Sequence, residues 1–108
     1  MLWTVETLSA VVDAELGALP VEMRVRFSYI SRLIEEFGLD RVRESHVKHL
    51  QGPLWEMRIT GKDRIARAIY VTATGQRVVV VRVFVKKTLK IPKREIALAL
   101  RRAKEVLP

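Results

Sequence analysis

Three strand-like runs follow one another between residues 54 and 85 with almost nothing between them. LWEMRIT (54–60) alternates in polarity, a turn at Gly61-Lys62-Asp63 leads to RIARAIYVTA (64–73), and Thr74-Gly75-Gln76 leads to RVVVVRVFV (77–85). Connections this short join antiparallel neighbours, because parallel strands need a crossover of a dozen residues or more. The middle of the chain is therefore expected to be an antiparallel meander. Its last strand is apolar on both faces over Val78–Val81, the pattern of a central strand covered on both sides.

The flanking segments can supply that cover. LWTVETL (2–8) reads as a short strand. Ser9 suits the cap of a helix from Ala10 through Val11, Val12 and Leu16, weakened at its end by Gly17. Pro20 suits the first turn of a second helix. There Met23, Phe27, Ile30, Ile34 and Phe37 recur every three or four residues before Gly38. The two segments read as a helical hairpin with a Gly-Ala-Leu-Pro joint, and residues 39–53 as a connecting segment ending in Gln-Gly-Pro. From Pro92 to Leu107 a last helix puts Ile96, Leu100, Ala103 and Leu107 on one face. The expected order is βααβββα. The fold class is α+β, in one domain over 1–108, with an antiparallel sheet, an N-terminal helical hairpin and a C-terminal helix.

The hydrophobic fraction of 49% argues against disorder. No cysteine is present, so disulfides and thiolate metal sites are excluded, which suits a reducing cytoplasm. No apolar run approaches the ~20 residues of a membrane span. The first sixteen residues carry Glu6, Asp13 and Glu15 and no Lys or Arg, unlike a secretory signal. The net charge of +8 is polarised. Residues 1–40 hold three basic and seven acidic side chains, net −4, and residues 41–108 hold seventeen and five, net +12. A chain so divided can present a cationic face to a polyanion.

Three motifs in series sharpen this expectation. VKHLQGPLWEMRI (47–59) resembles the "LWELR" strand of RelE/HigB toxins, in the branch often labelled phage-derived host-killer-like. RIARAIYV (64–71) is similar to that branch's Arg-bearing next strand, and FVKKTLKIPKREIALAL (84–100) to its "FVKKTxKTPxxEI" signature. The resemblance implies a RelE-like fold and the toxin of a type II toxin–antitoxin pair, a cytoplasmic endoribonuclease that cleaves mRNA, often on the ribosome. It also implies a cognate antitoxin, usually a helix-turn-helix protein. The chain departs from the family in two places. Ile91 stands where the branch usually has a capping Thr, and the C-terminus AKEVLP lacks the Tyr that the best-studied RelE members place near the scissile phosphate.

Metal-independent RNA cleavage uses the ribose 2′-hydroxyl as nucleophile. The protein must then help remove its proton, stabilise charge on the phosphorane-like transition state and protonate the leaving oxygen. Cations aimed at the developing charge are usually the largest contribution, and the planar fork of Arg matches phosphate. Arg58, Arg67 and Lys86 are the candidate catalytic residues. Alternation places Arg58 opposite the apolar trio Trp55, Met57 and Ile59, where it either clamps phosphate or pairs with an acid such as Glu56. Arg67 alternates with Ile65, Ile69 and Val71, so either both sheet faces are partly apolar or a bulge shifts the register. Lys86, expected on one face with Val80, Arg82 and Phe84, could exchange protons if neighbouring cations lowered its pKa. Lys48, Arg82, Lys87 and Lys90 are candidate RNA contacts. His46 and His49 are weaker acid/base candidates, and no Cys or carboxylate cluster beside them completes a metal site. No cofactor is expected. Trp55 and Phe84 read as core. Two other functions remain open: a ParE-like inhibitor of DNA gyrase with the same fold, and a basic nucleic-acid-binding module without catalysis.

Overall fold

The structure is a computed structural model. It describes residues 2–87 and 89–108, and for 43–45 the backbone alone. Five strands form one sheet: β1 (Thr4–Thr7), β2 (Val47–Gln51), β3 (Leu54–Thr60), β4 (Ile65–Ala73) and β5 (Arg77–Lys86). Four helices accompany them: α1 (Ala10–Gly17), α2 (Val21–Phe37), α3 (Leu39–His46) and α4 (Lys93–Ala103). The sheet order is β1-β5-β4-β3-β2.

The expected meander is present as β3–β4–β5, antiparallel throughout. Its second turn passes through Gly75 and Gln76, both at positive φ, which matches the twist of the flanking strands. The sheet as a whole is mixed rather than antiparallel, because β1 pairs parallel with β5. The reason is topological. α1, α2 and α3 carry the chain from the β1 edge to the β2 edge, and four alternating strands then return β5 beside β1 in the same direction.

The segment 39–53, expected to be a connection, contains α3 and the edge strand β2. Both have weak signals. α3 carries only Leu39 and Val42 as its apolar pair, both buried. β2 is VKHLQ and takes its order from pairing with β3. The helical partner of α2 is α3, while α1 lies on β5 and β1.

Two clusters of apolar side chains sandwich the sheet. On one face, Val12 of α1 and Met23, Phe27, Ile30 and Ile34 of α2 pack on Met57, Ile59, Ala66, Ala68, Tyr70, Val78, Val80 and Val83. Phe37, the last residue of the expected α2 stripe, is exposed. On the other face, Ala99 and Ala103 of α4 cover Leu54, Ile69, Val71, Val79 and Val81, with Ile96, Leu100 and Leu107 at the margin. Burying a side chain of Val or Leu size contributes about 1.5–3 kcal/mol, so both faces stabilise the sheet. An eleven-residue helix extends only about 16 Å. α4 therefore covers one end of its face and leaves the ends of β3 and β5 and the start of β4 open.

A β-bulge in β5 decides which residues reach that open end. Ile69 pairs with Arg82 and Tyr70 with Val80, so Val81 is the extra residue. Before the bulge Val79 and Val81 face α4; after it Arg82, Phe84 and Lys86 do, each opposite a β4 residue of that face. Val80 belongs to the opposite core, not to the face of Arg82 and Lys86 as strict alternation predicts. The bulge's loosened backbone groups are taken up by side chains. Val83 N–H donates to Glu15 Oε1 at 3.1 Å, and Arg102 Nη1 donates to Val81 C=O at 2.8 Å.

Candidate nucleic-acid interface

The uncovered end of the α4 face is a basic pocket of about 330 Å3. Lys48 of β2, Glu56 and Arg58 of β3, Arg67 of β4 and Lys86 of β5 line it, with Leu89, Lys90 and Ile91 of the following loop and Ile96 of α4. Register brings them together: Lys48 pairs with Glu56, Arg58 with Arg67, and Ile65 with Lys86. Paired residues on neighbouring strands share a face. Arg58, Arg67 and Lys86, which sequence reasoning singled out for chemistry, thus meet in one place, joined by Lys48 and Lys90.

Arg67 is 5% exposed. Both sheet faces are apolar here and the bulge lies beyond Ile69, so of the two sequence-level explanations for its position the first holds. Its ion partner is Glu56, also 5% exposed, with Arg67 Nε 3.2 Å from Glu56 Oε1. Neither Nε nor Nη1 of Arg67 makes a directed hydrogen bond. Unsatisfied buried donors are costly and rare in folded proteins.

The electrostatics follow from this crowding. Burial, above all, pulls the Lys86 ammonium below its usual pKa, and the charges of Arg67, Arg58 and Lys48 act the same way, with Glu56 opposing them. Burial likewise lowers Arg67, with Glu56 opposing and Arg58 reinforcing; a guanidinium stays charged regardless. From sequence alone Glu56 reads only as a possible partner of Arg58. Its place on the pocket face was legible from alternation with Arg58, but its pairing with Arg67 was not.

Other expected residues lie elsewhere. Arg82, expected to contact RNA, does not line the pocket. Glu95 holds it by two bonds, Nε–Oε1 at 2.7 Å and Nη2–Oε2 at 3.0 Å, and Glu15 Oε2 holds Nη1 at 2.9 Å. The acids responsible are distant in sequence, so the ion network was not visible there. Lys87 lies just past β5 and lines an adjoining groove. His49 points to the opposite face, stacked edge-on against Trp55, with Nε2 2.9 Å from Gly52 O. His46 lies among Leu33, Phe37, Arg41 and Val42, with its pKa lowered by burial and by Arg26. Neither histidine reaches the basic pocket. Among the described residues no group of three or more His, Asp or Glu stands where it could hold a metal.

Residues 14–104 match the family described as "Phage derived protein Gp49-like (DUF891)". The chain belongs to this Gp49-like family. It is a family of RelE/HigB-type toxins, and the matched span holds every residue of the basic pocket. Among solved structures the Gp49-like chain is similar to the archaeal RelE in a RelE–RelB complex from Pyrococcus horikoshii OT3. The TM-score is 0.55 at 23% identity, over 77% of this chain and 93% of that one. This likeness establishes the RelE-like α+β fold. No curated protein sequence matches the Gp49-like chain. Among its described residues no helix is long and apolar enough to cross a membrane.

Proposed function

We propose that this Gp49-like protein is the toxin of a type II toxin–antitoxin pair and arrests growth as a metal-independent endoribonuclease acting on mRNA at the ribosome. The observation that carries the reading is the convergence on one pocket of Arg58, Arg67 and Lys86 from three strands, Lys48 from the edge strand β2 and Lys90 from the loop after β5. A phosphodiester supplies acceptors for these cations beyond the one carboxylate, Glu56, in the lining. Arg58 and Arg67 hold the non-bridging oxygens and stabilise the charge that grows on them. The ribose 2′ oxygen attacks phosphorus and the bond to the 5′ oxygen breaks, leaving a 2′,3′-cyclic phosphate and a 5′-hydroxyl. Lys86, an ammonium made more acidic by its surroundings, donates the proton to the leaving 5′ oxygen. Glu56, the carboxylate among the lining side chains, accepts the 2′ proton. Lys48 and Lys90 bind flanking phosphates.

The reading places the protein in the cytoplasm, neutralised by a cognate antitoxin, a helix-turn-helix DNA-binding protein. An antitoxin partner is supported by the fold's likeness to a RelE seen in complex with RelB. The test is to map RNA 5′ ends after induced expression of wild type, Arg58→Ala and Lys86→Ala. New 5′-hydroxyl ends in wild type, absent in both variants, are expected. Growth arrest without new ends overturns the nuclease, and filamentation with DNA damage instead would assign the chain to gyrase inhibition.

A further inference from the structure

A second concavity, of about 860 Å3, opens directly beside the basic pocket and shares Arg67, Lys86 and Leu89 with it. Its remaining walls are Asp63 and Arg64 of the β3–β4 turn, Ile65, Val85 and Lys87. Two of these side chains are out of place on a solvated cationic surface: Leu89 is 94% exposed and Ile65 is 37% exposed. An isolated exposed apolar residue needs no explanation, but here two lie in one groove beside the apolar Val85, among walls that are otherwise charged. The groove also carries an acid. Asp63 makes its far side a poor seat for a second phosphate.

A ligand suited to both concavities is anionic in the pocket and flat, apolar and edge-polar in the groove. A nucleotide strand has this alternation, with each phosphate followed by a base that offers apolar faces and hydrogen-bonding edges. Resting on the proposed RNA-binding role of the pocket, we infer that the groove is a subsite for one unstacked nucleobase adjoining the bound phosphate. Its faces lie against Leu89 and Ile65 and its edge turns toward Asp63. The substrate is accordingly single-stranded at that position, because a paired and stacked base cannot enter.

The probes are short 2′-O-methyl RNA oligomers, which cannot be cut because the nucleophile is blocked, together with the same oligomers made abasic at each position in turn. Wild type is expected to lose about tenfold in affinity when one particular base is removed, the size expected for exposing an apolar contact of about 1.4 kcal/mol. The double variant Leu89→Ser/Ile65→Ser is expected to lose as much on the intact oligomer and nothing further on the oligomer abasic at that position. Leu89 is almost fully exposed and Ile65 lies at the edge of the strand, so folding is not at stake. Equal losses at all positions, or losses that add, overturn the subsite. So does competition by inorganic polyphosphate as effective as that by RNA of the same charge. If wild type binds none of the oligomers, the RNA reading itself fails. If binding is lost in Arg58→Ala but is unchanged in the double variant, the subsite alone fails.

Discussion

Glu56 and Arg67 form a buried ion pair in which each charge depends on the other for compensation. Removing one partner of such a pair typically costs about 3–5 kcal/mol, whereas replacing both with apolar residues is often neutral. Glu56→Met alone is therefore expected to lower stability in urea unfolding by about 3 kcal/mol, and Glu56→Met/Arg67→Met to recover most of it. If the single and double variants are equally unstable, the pair is not what holds that end of the sheet. Lys86 makes a second prediction. Its folded pKa lies below the ordinary lysine value, so the unfolded chain binds the extra proton first as pH falls. Its contribution to stability thus rises with pH through the window just below 10.5. Anion binding has the opposite sign, since it needs the ammonium. Affinity for cut-resistant RNA should fall between neutrality and about pH 10, and Lys86→Arg should flatten that fall in a calorimetric titration. A profile unchanged by Lys86→Arg would remove Lys86 from the binding site.

β5 shows how far strand alternation carries and where it fails. Period-two reasoning placed Arg58 on the face opposite Trp55, Met57 and Ile59, and the structure agrees, because β3 is regular there. The same reasoning misplaced Val80, because the bulge adds a residue to β5 and reverses the parity of everything after it. A run of four valines gives no sign of where parity changes. The stabilising partners also escape local reading. Glu15 comes from α1 and Arg102 from α4, each far along the chain from Val83 and Val81. Glu15 is mostly buried between Arg82 and Arg102. Glu15→Ala would leave those two cations and the Val83 N–H without it, and is expected to lower stability by about 3 kcal/mol. Glu6→Ala, which breaks the half-exposed pair with Arg77, should change the unfolding midpoint little. Equal effects would mean that the bulge does not depend on its side-chain partners. α3 and β2 escaped because neither makes sense alone: one apolar pair and five edge residues acquire structure only against α2 and β3.

Across the whole molecule, the charge division seen in the sequence maps onto the two sides of the sheet. The net-negative segment contributes the edge strand β1 and the helices α1 and α2 that cover one face, and the net-positive segment contributes the strands and α4 that frame the pocket on the other. That much was legible from counting, because strands and helices inherit the charge of their segment. Which cations stay available was not, because Arg82 is held by Glu15 and Glu95 while Arg58 is exposed beside the pocket. Binding of single-stranded RNA should therefore weaken with salt. Each phosphate contact contributes a slope of roughly −0.7 in a log–log plot. Arg58→Ala and Lys48→Ala should each reduce the slope by about that amount, whereas Arg77→Ala, on the opposite edge strand pair, should leave it unchanged. An equal reduction by all three would point to diffuse attraction rather than a defined contact set. The parallel pairing of β1 with β5 has a consequence for synthesis. Residues 4–7 find their partners only at 77–80, so the strand translated first must wait for the strand translated last. A chain emerging from the ribosome keeps an unfinished sheet until residues 77–80 have been made, and contacts this remote form slowly. On the proposed role as a growth-arresting toxin, the cell making this protein is shielded, for that interval, from its own product.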